Sequence, residues 1–131
     1  MQQNQHESVA RELWRAAAES DSQGIRELLS PDVVWSTLSS GDLSGSIHGP
    51  DAVLDQLART GELVEDLTYD LIDIYSSARG AVLHFRTRAS RDNRTLDTEV
   101  LLVLRMTHGV VVHAFTVPVE ANLDDRFWSS H

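Results

Sequence analysis

The sequence predicts a single α+β domain, residues 1–131, in which three helices pack on one face of an antiparallel sheet. Apolar residues in the first half recur at helical spacing, whereas from about residue 67 they alternate with polar ones as in strands. Gly, Pro, Asn and Asp separate these segments, as expected of turns. The length suits one domain with its own core.

The predicted helices are amphipathic and have recognisable ends. In the first, Val9, Leu13 and Ala16 fall on one side of the helix. Asp21 is a good N-cap for the second, and proline is favoured in the first turn of a helix, as at the start of the third. The three helices are residues 5–19, a short helix between Asp21 and Pro31, and a helix from Pro50 to about Gly61.

The predicted strands follow from alternation and from turn residues between them. Alternation is clearest in residues 81–90, and Asp92-Asn93 and His108-Gly109 are typical of tight hairpin turns. Residues 39–49, rich in Gly and Ser, predict a loop. The strands are residues 33–38, 67–75, 81–90, 98–106 and 110–119, with a further turn at 76–80.

The last two strands are apolar on both faces, which predicts that both faces are covered. Val100, Leu102 and Leu104 alternate with Leu101 and Val103. In the final strand we expect two alternating sets, Val110, Val112 and Ala114 against Val111, Phe115 and Val117. One face would pack on the helices. The other face needs a cover as well, and we therefore predict a homodimer that pairs through it.

Composition excludes several function classes. The chain has 20 acidic and 11 basic side chains, all of the latter Arg, and its net charge of −9 argues against a nucleic-acid partner. No apolar run approaches the ~20 residues of a membrane helix, and the polar N-terminal stretch predicts a cytoplasmic protein. Without cysteine there are no disulfides, thiolate metal sites or cysteine nucleophiles.

Metal and nucleotide motifs are likewise missing from the sequence. There is no HExxH, no spacing for two histidines and a carboxylate, and neither GxGxxG nor GxxxxGK[ST]. We therefore predict neither a metal nor another cofactor.

Four segments carry a family resemblance that spans nearly the whole chain. They are Asp21-Ser22-Gln23-Gly24-Ile25, Leu29-Ser30-Pro31-Asp32-Val33-Val34-Trp35, Ile47-His48-Gly49-Pro50-Asp51-Ala52-Val53 and Phe127-Trp128. In this order they resemble the SnoaL-like branch of the nuclear transport factor 2 superfamily. The motifs are specific for the fold and not for a reaction, because the superfamily includes isomerases, cyclases, epoxide hydrolases, dehydratases and inert binding modules.

The resemblance implies a strongly curved sheet that forms a cone with an internal, mostly apolar pocket. The ligand-binding residues that it implies are Trp35, Thr37, Phe85, Leu102 and Thr116. Other inward residues would be Leu13, Thr87, Val100, Ala114 and Pro118, whereas Trp14 is expected to pack between helix and sheet.

The family's known catalytic groups are not matched in this chain. Where similar ketosteroid isomerases have a basic Asp, an oxyanion-binding Tyr and a protonated Asp, this sequence has Thr37, Leu13 and Leu102. Epoxide hydrolases of the superfamily use an Arg between two Asp residues. Here Arg86 and Arg88 lie on the expected outer face, and Thr116 matches the last Asp.

Two residues remain as candidates for proton transfer. Glu120, at the end of the last strand, would become a general acid or base if it were desolvated at the open end of the cone. His48 precedes the third helix at the expected pocket mouth, where a solvated loop histidine is the simpler interpretation. His113, which matches the type of residue used by aldol cyclases of the family, alternates outward.

Two hypotheses follow for function. The first is a cofactor-independent isomerase, cyclase or lyase acting on an apolar polyketide- or terpenoid-like metabolite, mainly by holding it in a reactive shape. The second is a ligand-binding or dimerisation module without chemistry, which the missing catalytic groups favour.

Overall fold

The computed structural model describes residues 2–37, 45–120 and 126–127 of the chain. Its architecture is α+β, with three helices and one six-stranded sheet. In chain order the elements are α1 (Gln2–Ala18), α2 (Ser22–Leu28), β1 (Leu29–Thr37), β2 (Gly45–His48), α3 (Pro50–Leu63), β3 (Glu65–Ser77), β4 (Gly80–Arg91), β5 (Arg94–Thr107) and β6 (Val110–Pro118).

The sheet has the strand order β2-β1-β6-β5-β4-β3. All neighbours are antiparallel except β1 and β6, which run parallel, so the prediction of a purely antiparallel sheet was wrong at this pair. A parallel pair needs a long connection, and the chain from β2 to β5 provides it. The sheet is open in the described residues, with β2 and β3 at its edges, so the strands do not close the predicted cone.

The helices α2 and α3 begin where the sequence signals lie, whereas α1 begins earlier than predicted, at Gln2, and α3 continues past Gly61 to Leu63. The Asp21 carboxylate caps α2 by accepting a hydrogen bond from the backbone N–H of Gly24 at 2.9 Å. Pro50 occupies the first turn of α3, where its missing N–H has no intrahelical partner to lose. The helix α3 follows two strands rather than preceding the sheet, so the helices do not form one N-terminal group.

The hairpin turns form as the sequence predicted. Asp92 and Asn93 both have positive φ, 49° and 65°, and so do His108 and Gly109, at 53° and 80°. Two consecutive residues with positive φ give the turn whose twist matches that of paired strands. These turns fix the register of β4 on β5 and of β5 on β6.

The strand β2 was not predicted, because residues 39–49 were expected to be a loop. It pairs antiparallel with β1, and Ser36 Oγ lies 2.8 Å from Ser46 Oγ across the pair. This edge strand is held by backbone pairing and a serine contact. Its sequence shows none of the apolar alternation by which strands are recognised, and it was therefore missed. Leu38 and residues 39–44 lie outside the described residues, as does Trp128.

Alternation in β4 and β5 is confirmed by burial. The inward residues of both strands are buried against the helices, and the residues between them lie on the outer face. The main core combines these residues with α1, α2 and the start of α3. A second, smaller core joins Ala89, Leu96 and Phe127 beyond the end of α3.

Alternation fails in β6, where the expectation for Val111 was wrong. Val111 is fully buried, and so is Ala114 three residues later, which strict alternation forbids. An irregularity in the pairing of β5 with β6 lies between the pairs Arg105–His113 and Met106–Val111. The extra residue reverses the side-chain direction between Val111 and His113, so Val111 points inward, whereas His113, Phe115 and Thr116 keep their expected directions.

Candidate functional site: an apolar cavity under the helices

A cavity of about 190 Å³ lies between the inner face of the sheet and the three helices. Eight of the nine described elements, all except β2, contribute residues to its wall. The lining residues are Leu13, Trp14 and Ala17 of α1, Ile25 of α2, Trp35 and Thr37 of β1, Gln56, Leu57 and Thr60 of α3, Tyr69 of β3, Leu83, Phe85 and Thr87 of β4, Leu96, Val100 and Leu102 of β5, and Thr116 of β6.

The structure brings together the residues that the resemblance implied for ligand binding. All five line the same cavity: Trp35, Thr37, Phe85, Leu102 and Thr116. Their part in binding stays a prediction, since their location alone does not test it. Ala114 and Pro118, also expected to face inward, are buried but do not belong to the lining.

A hydrogen bond fixes the indole of Trp35 at the β1–β6 side of the cavity. Its Nε1 donates to Thr116 Oγ1 at 3.2 Å, across the parallel strand pair. An indole N–H can only donate, so the threonine oxygen accepts, and the hydroxyl hydrogen of Thr116 stays available for another acceptor. Thr37 is the register partner of Thr116, which places a second hydroxyl beside the first.

Three aromatic rings form the opposite wall. The ring centroids of Trp14 and Phe85 are 5.3 Å apart, and those of Tyr69 and Phe85 are 5.7 Å apart at an interplanar angle of 84°. Edge-to-face packing of this kind is favourable for aromatic pairs. Trp14 was expected to pack between helix and sheet, and it does so while also facing the cavity.

The Tyr69 phenol remains protonated at neutral pH. Burial raises its pKa above the ordinary value, because the ionised form would lose hydration, even though 44% of the residue surface is exposed. The hydroxyl is therefore a hydrogen-bond donor and acceptor at the cavity wall.

Among the described residues, the cavity lining contains no Asp, Glu, Arg or His side chain. The polar side chains of the lining are four threonines and Gln56, together with the Tyr69 hydroxyl and the indole N–H groups of Trp14 and Trp35. None of these is a general base near neutral pH. The cavity can thus orient an uncharged molecule through a few hydrogen bonds, but the described lining cannot by itself take up a proton.

The two candidates for proton transfer lie elsewhere. Glu120 is exposed, two residues beyond the end of β6, and His48 is exposed at the end of β2. Neither belongs to the cavity lining. The desolvation on which the acid–base hypothesis for Glu120 depends is therefore not found at this residue, and a catalytic role for either one stays a prediction.

The basic stripe on the outer face is neutralised within the sheet. Arg86 makes two hydrogen bonds to Asp97, at 2.5 and 3.0 Å, and Arg88 pairs with Asp70 at 3.3 Å. The hydrogen bond from Arg86 is the main reason why the pKa of Asp97 is lowered. His84 contacts Glu99 at 2.6 Å. Since both arginines already have anionic partners, the stripe is not a free anion site.

His113 also lies on the outer face, as expected from alternation. Its ring stacks on Phe115 with centroids 4.0 Å apart, and Nε2 lies 3.4 Å from Ser36 Oγ. This places the imidazole away from the cavity.

Sequence reasoning missed the contributions of α3 and β3 to the cavity. Gln56, Leu57 and Thr60 lie on one side of α3 at helical spacing, and Tyr69 comes from β3. The i, i+4 spacing of Gln56 and Thr60 was the available signal, but polar residues on a helix usually indicate its solvent side.

Two further properties concern the described part of the chain. No group of three His, Asp or Glu side chains there is arranged to hold a metal ion. None of its helices is both long enough and apolar enough to cross a membrane.

Three helices over one face of a six-stranded sheet, enclosing an apolar cavity, define a protein of the nuclear transport factor 2-like class, also described as cystatin-like. The model of the SnoaL-like domain matches residues 10–114. The chain belongs to this SnoaL-like family. Among curated proteins, no sequence matches it.

Solved structures share the fold at low sequence identity. Bal32a, from a soil-derived mobile gene cassette, is 21% identical, with a TM-score of 0.90 over 98% of this chain and 99% of that one. A cystatin-like protein of unknown function from Xanthomonas campestris is 21% identical, with a TM-score of 0.83 and coverage of 93% and 96%. TerC co-crystallised with polyporic acid is 12% identical, with a TM-score of 0.81 and coverage of 94% and 97%.

Proposed function

We propose that this protein binds a small, uncharged and mainly apolar metabolite in the cavity between the helices and the sheet. The observation that carries the proposal is the lining itself: apolar and aromatic side chains with a few hydroxyl groups and no charged side chain among the described residues. An ionised ligand would lose its hydration there without gaining a counter-charge. Co-crystallisation of TerC with polyporic acid supports ligand binding by this fold.

The size of the cavity narrows the ligand class. Pockets for drug-sized ligands measure roughly 300–1,000 Å³, whereas this cavity measures about 190 Å³. This favours a compact terpenoid-like molecule over a polyketide-like molecule with several fused rings.

Binding is tested by calorimetric titration with neutral bicyclic probes, indane, indan-1-one and camphor, against the ionised analogue indane-1-carboxylate. We expect the neutral probes to bind and the carboxylate to bind at least tenfold more weakly. Leu102→Phe should weaken binding of the neutral probes by about tenfold or more, because the larger ring occupies part of the cavity. Leu101→Phe is the matched control, since the neighbouring residue of β5 faces outward.

Three results would contradict the proposal. They are failure of every neutral probe to bind, equal binding of the carboxylate, and equal effects of Leu102→Phe and Leu101→Phe in proteins whose circular dichroism spectra are unchanged.

We retain catalysis as the second candidate: isomerisation, cyclisation or elimination on the same kind of metabolite. Holding a flexible substrate in a reactive conformer against Trp35 and Phe85 would supply most of the effect. Proton transfer would require Glu120 or His48 to approach the cavity when a ligand is present. If this is correct, Glu120→Gln or His48→Asn lowers turnover while leaving ligand affinity unchanged; a pure binder shows no turnover to lose.

We also propose that the protein acts in the cytoplasm as a homodimer, paired through the outer face of the sheet. The supporting observation is a row of half-buried apolar side chains there, Leu101 and Val103 of β5 and Phe115 and Val117 of β6. Apolar residues at the centre of a surface otherwise bordered by charged pairs are typical of protein interfaces.

A further inference from the structure

Three polar side chains lie together at the end of the cavity where β1 and β6 run side by side. The indole of Trp35 donates its N–H to Thr116, and Thr37 is the register partner of Thr116. All three residues line the cavity and are only half-buried, so a molecule in the cavity can contact them. This end of the cavity therefore offers hydrogen bonds in an otherwise mainly apolar wall.

The hydrogen bond from Trp35 sets the role of the Thr116 hydroxyl. The oxygen of Thr116 accepts the indole N–H at 3.2 Å, and the described residues provide no acceptor for its own hydrogen. A hydroxyl that already accepts one hydrogen bond becomes a stronger donor, because successive hydrogen bonds polarise one another. Thr116 is therefore prepared to donate to an acceptor that enters the cavity.

Thr37 supplies a second donor for the same acceptor. Its hydroxyl forms no hydrogen bond within the described part of the chain. Neighbouring strands lie about 4.7–4.9 Å apart, and O–H···O hydrogen bonds are about 2.7–2.8 Å long. One oxygen atom placed between Thr37 and Thr116 can thus accept from both. A carbonyl oxygen, which has two lone pairs and no hydrogen to donate, fits this position.

The other two threonines of the lining lack this arrangement. Thr60 of α3 already donates its hydroxyl hydrogen to the backbone oxygen of Gln56 at 2.9 Å. Thr87 of β4 lines the cavity, but its register partner Thr98 is 3% exposed and does not belong to the lining. Paired donors that both face the cavity are therefore found, in the lining that the structure describes, at the β1–β6 end.

We propose that Thr37 and Thr116 form a donor site for a ligand oxygen, through which the cavity selects a ketone over the corresponding hydrocarbon. A hydrocarbon would displace solvent from both hydroxyls without replacing its hydrogen bonds, and unpaired hydroxyls cost free energy. This inference rests on the proposed function and adds the substrate class.

The test compares indan-1-one with indane, which share a skeleton and differ in the carbonyl oxygen. In calorimetric titration we expect the unaltered protein to bind the ketone about five- to tenfold more tightly, as one net hydrogen bond provides. Thr116→Val should abolish this preference by weakening ketone binding alone, whereas Thr116→Ser should keep it. Thr37→Val, which leaves the bond between Trp35 and Thr116 in place, should reduce it. Thr95→Val, at an exposed position of β5, should change neither affinity.

The carbonyl group of the probe gives a second readout. A carbonyl that accepts hydrogen bonds absorbs infrared light at a lower frequency than one in apolar surroundings. The carbonyl band of bound indan-1-one should therefore lie lower in the unaltered protein and in Thr116→Ser than in Thr116→Val. A band at the same frequency in all three proteins would contradict the inference.

The outcomes separate this inference from the proposed function. If ketone and hydrocarbon bind the unaltered protein equally well, the inference fails while ligand binding stands. The inference also fails if Thr87→Val, rather than Thr116→Val, removes the preference, because the oxygen is then recognised at the other end of the cavity. If neither probe binds the unaltered protein, the proposed function fails, and the donor site fails with it.

Discussion

At the residue scale, Asp21 joins two helices through its carboxylate. It caps α2 by accepting the N–H of Gly24, and it lies 3.2 Å from an Arg15 nitrogen of α1. The hydrogen bond from Gly24 and then the one from Arg15 lower the pKa of Asp21. The same guanidinium also lowers the pKa of Glu12, by a hydrogen bond at 2.5 Å. These carboxylates therefore stabilise the fold in their ionised form.

A pH-dependent loss of stability follows for Asp21→Ala. The lowered pKa means that the carboxylate's contribution is complete above its unfolded value of about 3.9 and disappears as the pH falls through the still lower folded value. We expect Asp21→Ala to unfold at a lower temperature than the unaltered protein at pH 7, with the difference shrinking below about pH 4. Thermal unfolding followed by circular dichroism measures it.

Asp55→Ala is the matched control, because Asp55 is exposed on α3 and its carboxylate forms no hydrogen bond among the described residues. A difference between Asp21→Ala and the unaltered protein that stays constant from pH 7 to pH 2 would contradict the assigned role.

Which residues line the cavity could be predicted where a strand alternates regularly, as for Phe85 and Leu102. It could not be predicted at the ends of strands, where alternation no longer fixes the direction of a side chain. Glu120 and His48 lie at such ends, and neither reaches the cavity. Tyr69 was missed because the pairing of β3 with β4 is irregular around Ile72, which breaks the pattern along the strand.

At the scale of elements, two helical glycines differ in their surroundings. A Cβ at Gly61 of α3 would meet no atom within 4 Å. A Cβ at Gly24 of α2 would lie 2.5 Å from Asp21 Oδ2 and 3.3 Å from the Cβ of Ala16. Substitution by alanine therefore tests helix propensity at Gly61 and side-chain packing at Gly24.

We expect Gly61→Ala to stabilise the protein by about 0.5–1 kcal/mol, because alanine loses less backbone entropy in a helix. Gly24→Ala should destabilise it, because the new methyl group displaces the carboxylate that caps α2. Urea denaturation gives both free energies of unfolding. Equal effects of the two substitutions would show that helix propensity alone decides, contrary to the packing argument.

Elements were predictable where the signal is local. The turns at Asp92-Asn93 and His108-Gly109 adopt the positive φ angles that their residue types permit. The strand β2 was not predictable, because its four residues are mostly exposed and form a strand only by pairing with β1. The reversal of side-chain direction in β6 depends on an irregularity in its pairing with β5, and no residue type in β6 indicates that irregularity.

At the scale of the whole molecule, the fold class was predictable and the topology was only partly so. Helical and strand periodicities are local properties, and they gave three helices and most strands. The parallel pairing of β1 with β6 joins residues some 80 positions apart, such as Trp35 and Ala114. Periodicity contains no information about such partners. The family resemblance instead indicated which face of each strand points inward. The five ligand-binding residues that it implied do line the cavity.

In the proposed dimer, charge repulsion between the copies opposes the apolar attraction between their outer faces. Each copy has a net charge of −9, so two copies repel each other. The charged part of this face is already paired within the sheet, as Arg86 with Asp97, and offers little to a second copy. Attraction must therefore come from the apolar part. Added salt should screen the repulsion and tighten the dimer, whereas an interface held by ion pairs would weaken.

Val103→Glu should accordingly give monomers of 14.6 kDa at micromolar concentration, whereas we expect the unaltered protein to have twice that mass. The substitution places a charge in the middle of the apolar row, where desolvating it costs several kcal/mol. Light scattering between 0.05 and 0.5 M NaCl measures both the mass and its salt dependence. Ala58→Glu, on an exposed position of α3, adds the same charge away from this face and should leave the dimer intact. A monomer at every salt concentration, or dissociation at high salt, would show that apolar contact through this face does not pair the copies.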